Sequence, residues 1–168
     1  VEIGKNMKIE IDKGEKVKVS SIEFVGNEQL SDRKLRKAMK EVKQKNFFRI
    51  FKRSKFSQDL YEEDKASIIK KYKSNGYRDA RIVSDTLIVE DEQNVALRIN
   101  VEEGQKYYFG NIRFIGNSVY TDNQLRQILG IKKGEAYNGV LLQERIADNT
   151  DPEANDLTNL YQNTGYLF

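Results

Sequence analysis

The sequence has no cysteine, no histidine and no tryptophan in its 168 residues, and it has a single proline. Without cysteine, the chain can form neither a disulfide bond nor a thiolate metal site. Without histidine, it lacks the commonest metal ligand and the side chain that most often acts as a general base. It also has no glycine-rich phosphate loop. We therefore expect no enzyme activity, no catalytic residue, no metal and no cofactor.

Long apolar runs and a strong net charge are missing too. No apolar run approaches the ~18 residues that a membrane-spanning helix needs. The net charge of +3 is small for this length and does not require a nucleic-acid partner. Apolar residues make up 38% of the chain and charged residues 33%, which suits small cores under a charged surface better than one large core.

What the sequence does contain is an internal repeat. Residues 14–27 match residues 104–117 without a gap, and the match extends in the same register from Leu35-Arg36 to Leu125-Arg126. Residues 72–77 then match residues 161–166, with the offset changed by one position. Two anchors in the same order indicate an array of homologous modules. The alternative is a single irregular α+β domain whose internal similarity is coincidental.

One full module is predicted to contain a strand, two helices and two further strands. The first strand lies at residues 19–25, and Ser31 is the expected N-cap of the first helix. A second helix is expected at residues 58–73, and strands at 81–90 and 95–101. This order predicts an α+β fold of β-α-α-β-β modules, each a three-stranded mixed sheet covered on one face by two helices. The apolar positions assigned to the first helix are Leu35, Ala38, Met39 and Val42.

The repeat divides the chain into three parts. Residues 1–18 are expected to be the last-strand remnant of a preceding module, since residues 7–14 parallel residues 96–104. Residues 19–104 form a complete module. Residues 105–168 form a second module that is truncated before its C-terminal hairpin. We expect this second module to be unstable unless another segment or chain completes its sheet.

Several short motifs of the complete module occur in a fixed order. They are Phe24-Val25-Gly26-Asn27, Leu35-Arg36, Tyr72, Gly76-Tyr77-Arg78-Asp79-Ala80 and Glu102-Glu103-Gly104. In this order they resemble the POTRA (polypeptide-transport-associated) domain, and tandem modules of this kind are similar to those of bacterial outer-membrane barrel-assembly factors. The second module departs from the pattern: it lacks Asp-Ala after Gly165-Tyr166, where Leu167-Phe168 follow, and it has a longer stretch at residues 138–155.

This resemblance implies a function in polypeptide handling. It implies the periplasmic portion of an outer-membrane protein of a Gram-negative bacterium, followed in the full-length protein by a C-terminal transmembrane β-barrel. In the family, POTRA modules bind unfolded outer-membrane proteins and accessory assembly lipoproteins, partly by adding an extended peptide to a sheet edge. The resemblance places this peptide-binding edge strand at Arg81, Ile82, Val83, Ser84, Asp85, Thr86, Leu87, Ile88 and Val89.

The physical basis of such an edge is its backbone. An edge strand leaves a row of N–H and C=O groups unpaired, and an extended client can pair with them without much sequence preference. Residues 81–89 are rich in β-branched side chains and contain no proline. The alternative is an edge that is solvated or covered by a neighbouring module. A proline at an outward-facing amide, for example Thr86→Pro, is expected to weaken client binding and keep the fold.

A second candidate site is the basic and aromatic stretch at residues 43–56, which has six cations, no anion and four phenylalanines. It could contact a partner protein or anionic lipid, or bind nucleic acid. Alternatively, its phenylalanines pack over the helix pair while its cations face water. Glutamate at both Lys52 and Arg53 would separate these possibilities. The candidate contact residues are Phe47, Phe48, Arg49, Phe51, Lys52 and Arg53.

Acidic residues cluster at positions 62–64, 90–92 and 102–103. Neighbouring positions on a helix or strand do not converge on one point, so these clusters are not expected to act in acid–base chemistry or to bind a cation. We expect them to be solvated faces or turns.

Two other functions are alternatives to barrel assembly. The first is the POTRA segment of a two-partner secretion transporter. The second, from a different class, is a nucleic-acid-binding α+β array, which a steep salt dependence of oligonucleotide affinity would support. A cell-division protein is disfavoured, because such a protein resembles a single POTRA module. No nucleic-acid partner is expected.

Overall fold

The computed structural model describes residues 17–44 and 56–166. Nearly all of the predicted strand at residues 1–18 lies outside these ranges. Within them, one sheet forms from β1 (Lys18–Val25), β2 (Arg81–Val89) and β3 (Asn94–Glu102). The strand order is β1-β3-β2, with β1 parallel and β2 antiparallel to β3. The predicted three-stranded mixed sheet is therefore confirmed for the first module.

Alternation of side chains along the strands decides which face of the sheet is buried. In β3 every second residue from Val95 to Val101 is buried, whereas Arg98 between them is exposed. A bulge between Val19 and Ser21 lets Val19 and Ile22 share one face although they lie three positions apart. The buried residues of this face are Val95, Leu97, Ile99 and Val101 on β3, and Val19, Ile22 and Phe24 on β1.

Two helices cover this buried face, α1 (Asp32–Ala38) and α2 (Gln58–Lys73). The limits of α2 are those that the sequence predicts. Its residues Tyr61, Ile68 and Tyr72 are buried against the sheet, at a spacing that returns to one side of the helix. Burial of an isoleucine-sized side chain stabilises a fold by about 1.5–3 kcal/mol, so this stripe holds the helix in place.

The first helix ends earlier than its apolar pattern suggests. Met39 leaves the helical region with φ −66° and ψ 122°, although Met39 and Val42 are both buried. The cause is Asp64 on α2, whose carboxylate accepts hydrogen bonds from the N–H groups of Lys40 and Val42, each at 2.6 Å. Asp64 is 1% exposed. The expectation of a solvated acidic cluster is therefore wrong for Asp64.

The same expectation is wrong for Glu103. This residue is buried, and its carboxylate accepts hydrogen bonds from the N–H groups of Gln29 at 2.8 Å and Leu30 at 3.1 Å. These two amides lie in the turn between β1 and α1, which Glu103 therefore fastens to the end of β3. The neighbouring Glu102 is exposed, as expected, and pairs with Arg81 at 2.6 Å.

The second module contains α3 (Asp122–Leu129), α4 (Gly139–Ile146) and α5 (Leu157–Gln162). Its stretch aligned with β1, residues 108–115, forms no strand in the described part of the chain, where it makes one isolated bridge, Tyr108 to Ala136. A strand needs a neighbour that receives its backbone hydrogen bonds along its length, and beyond Phe109 no described segment is paired with this stretch. None of the helices in the described ranges is both long and apolar enough to cross a bilayer.

The two modules repeat their hydrogen bonds as well as their sequence. The Asn27 side chain donates to a carbonyl three residues later and to a carboxylate five residues later, at 3.0 and 2.8 Å. Asn117 makes the same two bonds at the same distances. Arg36 donates to the carbonyl of Ile22 at 2.9 Å, and its counterpart in α3 bonds the corresponding carbonyl at 2.9 Å. The shared motifs therefore fix the turn from strand to helix.

Candidate functional site

β2 forms an outer edge of the sheet, because β3 lies between it and β1. The N–H of Glu90 donates to the carbonyl of Asn94 at 3.0 Å, which marks this opposed pair as hydrogen-bonded. Bonded and non-bonded pairs alternate along antiparallel strands. With the observed register, the backbone groups of residues 84, 86 and 88 face β3. Those of Asp85, Leu87 and Val89 point away from the sheet.

The pairing of β3 with β1 gives the same assignment. The N–H of Lys18 donates to the carbonyl of Gln93 at 2.8 Å, so odd-numbered residues of β3 face β1 and even-numbered residues face β2. Thr86 lies opposite Arg98, an even-numbered residue. The amide of Thr86 therefore bonds within the sheet, and the expectation that it faces outward is wrong. A proline test of the edge belongs at Asp85, Leu87 or Val89, whose amides point away from β3.

The side chains of β2 give this edge a partly apolar surface. Val83 is 60% exposed and Val89 is 59% exposed, while Ile82 and Leu87 pack against the core. Among the described residues, β3 is the only strand that pairs with β2. The edge predicted from the sequence thus lies at an outer strand, with both backbone groups and valine side chains at its surface.

A charged cluster ties β2 to α2. Lys65 Nζ lies 3.1 Å from the carboxylate of Asp85 and 2.8 Å from that of Glu62. Partial burial lowers the pKa of Lys65, but hydrogen bonds to these two carboxylates outweigh it, so the net shift is upward. Burial, and after it the nearby charge of Asp85, raises the pKa of the Tyr61 hydroxyl. Lys65 therefore stays charged and Tyr61 neutral at physiological pH.

An open groove of about 600 Å³ lies between α2 and β2. Charged side chains, among them Lys70 and Lys73, line it together with apolar ones. One lining residue, Val140, comes from α4 of the second module, and α4 lies in contact with α2. The groove therefore borders both the β2 edge and the second module. Its apolar lining residues are Ala66, Ile69, Ile82, Val83 and Val140.

The two modules meet at Tyr107. Its N–H donates to the carbonyl of Gly76 at 2.9 Å, and its hydroxyl donates to Oδ2 of Asp79 at 2.6 Å. The guanidinium of Arg78 lies over the Tyr107 ring, 4.3 Å from its centroid. On the side of the second module, the carbonyl of Tyr107 accepts a hydrogen bond from the N–H of Tyr137 at 2.8 Å. One residue thus contacts the loop after α2 and the segment that leads into α4.

The Asp79 carboxylate is charged in this contact. The hydrogen bond from Tyr107, followed by that from Arg78, lowers the pKa of Asp79 below its ordinary value. The bond to Asp79 also raises the pKa of the Tyr107 hydroxyl. A neutral phenol therefore donates to an anionic carboxylate, which is the stronger class of hydrogen bond.

Most of the second candidate site, the basic and aromatic stretch, lies outside the described residues. Of residues 43–56, the structure describes only 43, 44 and 56. Phe56 packs against the core, with its ring centroid 5.8 Å from that of Tyr61, as one of the alternatives expects for this residue. In the described part of the chain, no group of three or more carboxylates could hold a metal ion. The predicted contact residues Phe47, Phe48, Arg49, Phe51, Lys52 and Arg53 lie outside the described residues.

Sequence reasoning missed the groove and the joint between the modules. The groove depends on which turns of α2 lie beside β2, and that placement is a property of the tertiary structure. The joint left one signal in the sequence. Tyr107 corresponds in the repeat to Val17, so the hydroxyl is not a shared feature of the modules.

A family model with the description "POTRA: Surface antigen variable number repeat" matches residues 17–104 and residues 107–168. Relatives in sequence are outer-membrane assembly factors. The chain is 30% identical over 131 residues to the outer membrane protein assembly factor BamA of Neisseria meningitidis serogroup B, covering 77% of this chain and 16% of that protein. It is 27% identical over 139 residues to a putative outer membrane protein assembly factor of Treponema pallidum, covering 80% and 16%.

A third relative, BamA of Buchnera aphidicola, is 24% identical over 163 residues, covering 96% of this chain and 25% of that protein. The chain thus spans a quarter or less of the length of these relatives. Among solved structures, POTRA3-5 of Haemophilus influenzae BamA superposes with a TM-score of 0.56 at 24% identity, covering 79% of this chain and 52% of that one. Haemophilus ducreyi BamA lacking POTRA domains 1-3 gives 0.54 at 21% identity, covering 75% and 22%. These two structures support the fold.

Proposed function

This chain belongs to the POTRA family, and from that premise we propose that it is a periplasmic polypeptide-binding scaffold for assembly and insertion of outer-membrane β-barrel proteins. It acts by β-augmentation at β2 and by docking accessory proteins, without catalysis. The observation that carries the proposal is the open edge of β2, where Asp85, Leu87 and Val89 direct their backbone groups away from the sheet. The proposed partners are unfolded outer-membrane proteins, accessory assembly lipoproteins and a C-terminal transmembrane β-barrel in the full-length protein.

The groove beside β2 gives a place for the client's side chains. A strand laid against β2 turns alternate side chains toward α2, where the lining includes Ala66 and Ile69, and turns the others toward water. Strands of outer-membrane barrels alternate apolar and polar residues in the same way. The nine residues of β2 also approach the length of about ten residues that spans a membrane as a β-strand.

The expected affinity is modest. Each backbone hydrogen bond contributes about 0.5–1.5 kcal/mol net, whereas ordering the client costs about 1–2 kcal/mol per residue. Burial of apolar client side chains in the groove adds about 25 cal/mol per Å². These opposing contributions nearly cancel. We therefore expect micromolar or weaker binding with little sequence preference, which suits a scaffold that must release its client.

N-methylated peptides test this pairing without altering the protein. The probe is a capped peptide of about ten residues in which valine alternates with threonine, the pattern of a barrel strand. In one set the valine amides are methylated, and in the other the threonine amides, so each set blocks one edge of the peptide. With the valines in the groove, an antiparallel client presents its valine amides to β2, whereas a parallel client presents its threonine amides.

Binding is measured by fluorescence anisotropy of labelled peptides. We expect one set to lose more than about tenfold in affinity, the equivalent of two hydrogen bonds, and the other to bind nearly as well as the unmethylated peptide. The sensitive set also reports the direction of the client strand. If both sets bind like the unmethylated peptide, or both lose affinity equally, β-augmentation at β2 is ruled out.

A further inference from the structure

The joint between the modules uses side chains that the repeat does not share. In the aligned sequence, Val17 stands at the position of Tyr107, and Leu167 and Phe168 stand at the positions of Arg78 and Asp79. The bonds that fix each module's own turns are repeated in both modules, as those of Asn27 and Arg36 are. The tyrosine, the arginine and the aspartate are therefore not part of the bonding pattern that the two modules share.

The contacts of this joint lead directly to the groove. Tyr107 accepts the hydrogen bond from the N–H of Tyr137, and the next residue, Asn138, is the N-cap of α4. The Asn138 side chain accepts the N–H of Leu141 at 3.0 Å, which fixes the first turn of the helix. Val140 lies in that turn and lines the groove between α2 and β2. Consecutive hydrogen bonds thus connect Tyr107 to the turn that contains Val140.

The first module is shaped to receive this tyrosine. Gly76 has φ +100°, and a Cβ there would lie 3.1 Å from the carbonyl oxygen of Tyr107 and 3.1 Å from the Lys106 side chain. Glycine therefore permits the close approach of the linker, in addition to ending the turn after α2. The hydroxyl bond to Asp79 and the stacking of Arg78 then hold the tyrosine from two further directions.

On the basis of the proposed function, we propose that the groove between α2 and β2 is a client-binding site formed by both modules. In this site Tyr107 is the positioning residue that holds α4 of the second module beside the groove. Release of Tyr107 from Asp79 and Arg78 would withdraw Val140 and leave the groove with its first-module lining alone. The angle between the modules and the affinity for a client strand are therefore coupled. An apolar side chain of the client occupies the position beside Val140.

Spin labels measure the positioning directly. Because the chain has no cysteine, cysteines placed at the exposed positions Glu63 on α2 and Gln127 on α3 accept labels specifically. We expect a narrow distance distribution by double electron–electron resonance in the otherwise unmodified chain. Tyr107→Val, which copies the residue of the first module, should broaden it, and Tyr107→Phe should broaden it less. Tyr108→Phe is the matched control, since Tyr108 is 59% exposed and has no role in the joint's hydrogen bonds to Asp79.

Affinity for the alternating valine–threonine peptide is the second measurement. Tyr107→Val should weaken binding about three- to tenfold, as loss of part of one valine-sized contact would. Val140→Ser should weaken binding to a similar extent while the distance distribution stays narrow. Far-UV circular dichroism checks that each variant is folded. If Tyr107→Val does not fold, Tyr107→Phe replaces it in both measurements.

The outcomes separate this inference from the proposed function. A narrow distribution in the Tyr107 variants overturns the positioning role. A broad distribution with unchanged peptide affinity overturns the composite groove and leaves the proposed function intact. Absence of peptide binding by the unmodified chain overturns the proposed function and the composite client site with it, while the distance measurement still decides whether Tyr107 fixes α4.

Discussion

Asp64 joins the two helices of the first module through its carboxylate. It is 1% exposed and accepts three backbone N–H groups, from Lys40, Glu41 and Val42, just past the end of α1. Val42 is buried, so without Asp64 its amide would be an unpaired buried donor, which costs about 1–3 kcal/mol. A residue that composition assigns to the surface thus stabilises the interior.

Asp64→Asn should lower the free energy of unfolding by about 3 kcal/mol, because the amide has one acceptor oxygen and turns N–H groups toward backbone donors. Urea titration followed by far-UV circular dichroism measures the loss. The neighbouring Glu63 is exposed, so Glu63→Gln should stay within about 0.5 kcal/mol of the unmodified chain. Equal midpoints for the two variants would contradict the role of Asp64.

Gly26 is required by both its backbone and its surroundings. It has φ +83°, and a Cβ there would lie 2.2 Å from the carbonyl oxygen of Val101. Gly104 has φ +68°, but a Cβ there would make only ordinary contacts, at 3.4 Å from Asp79. We expect Gly104→Ala to cost about 1–2 kcal/mol from the positive φ alone, and Gly26→Ala to cost clearly more. Urea midpoints compare the two, and a smaller loss for Gly26→Ala would refute the steric argument.

At the scale of the element, adjacent residues of β2 should respond to proline in opposite ways. The Ile88 amide bonds to β3, so Ile88→Pro should destabilise the sheet by about 2–4 kcal/mol. The Val89 amide points outward and its side chain is 59% exposed, so Val89→Pro should cost less than about 1 kcal/mol. Thermal unfolding ranks the variants. The reverse ranking would mean that the edge register is shifted by one residue.

The helices show which elements the sequence predicts well. The limits of α2 follow from its apolar spacing and from basic residues in its last turn, all of which are local. The end of α1 depends on Asp64, which lies 22 to 24 residues away in sequence. The apolar pattern places Met39 and Val42 correctly in the core, but it cannot reveal that a carboxylate from another helix captures the amides between them.

At the scale of the whole molecule, the joint should respond to acid through Asp79. The pKa of Asp79 in the joint is below its ordinary value. The carboxylate therefore stabilises the joint fully at a pH above the ordinary value, and this stabilisation is lost as the pH falls through the folded pKa. The groups that face it are Arg78, which stays charged, and Tyr107, which stays protonated. Tyr137 approaches Arg78 from the second module.

We expect the distance distribution between labels at positions 63 and 127 to broaden below about pH 4, within the range in which circular dichroism remains native. In Asp79→Ala the distribution should already be broad at neutral pH and should not change with acid. If the unmodified chain and Asp79→Ala give the same distribution at every pH, the carboxylate does not hold the joint.

The sequence by itself determined the repeat, the order of the elements in the first module, the buried face of its strands and the family. These features depend on local periodicity and on motifs that the two modules share. Only the tertiary structure decided which amides of β2 face outward, which carboxylates are buried, and that Val140 of the second module lines the groove. The edge strand followed from resemblance, but its register did not. Register and burial depend on partners far away in sequence, and a one-residue change of register exchanges every inward and outward group of a strand.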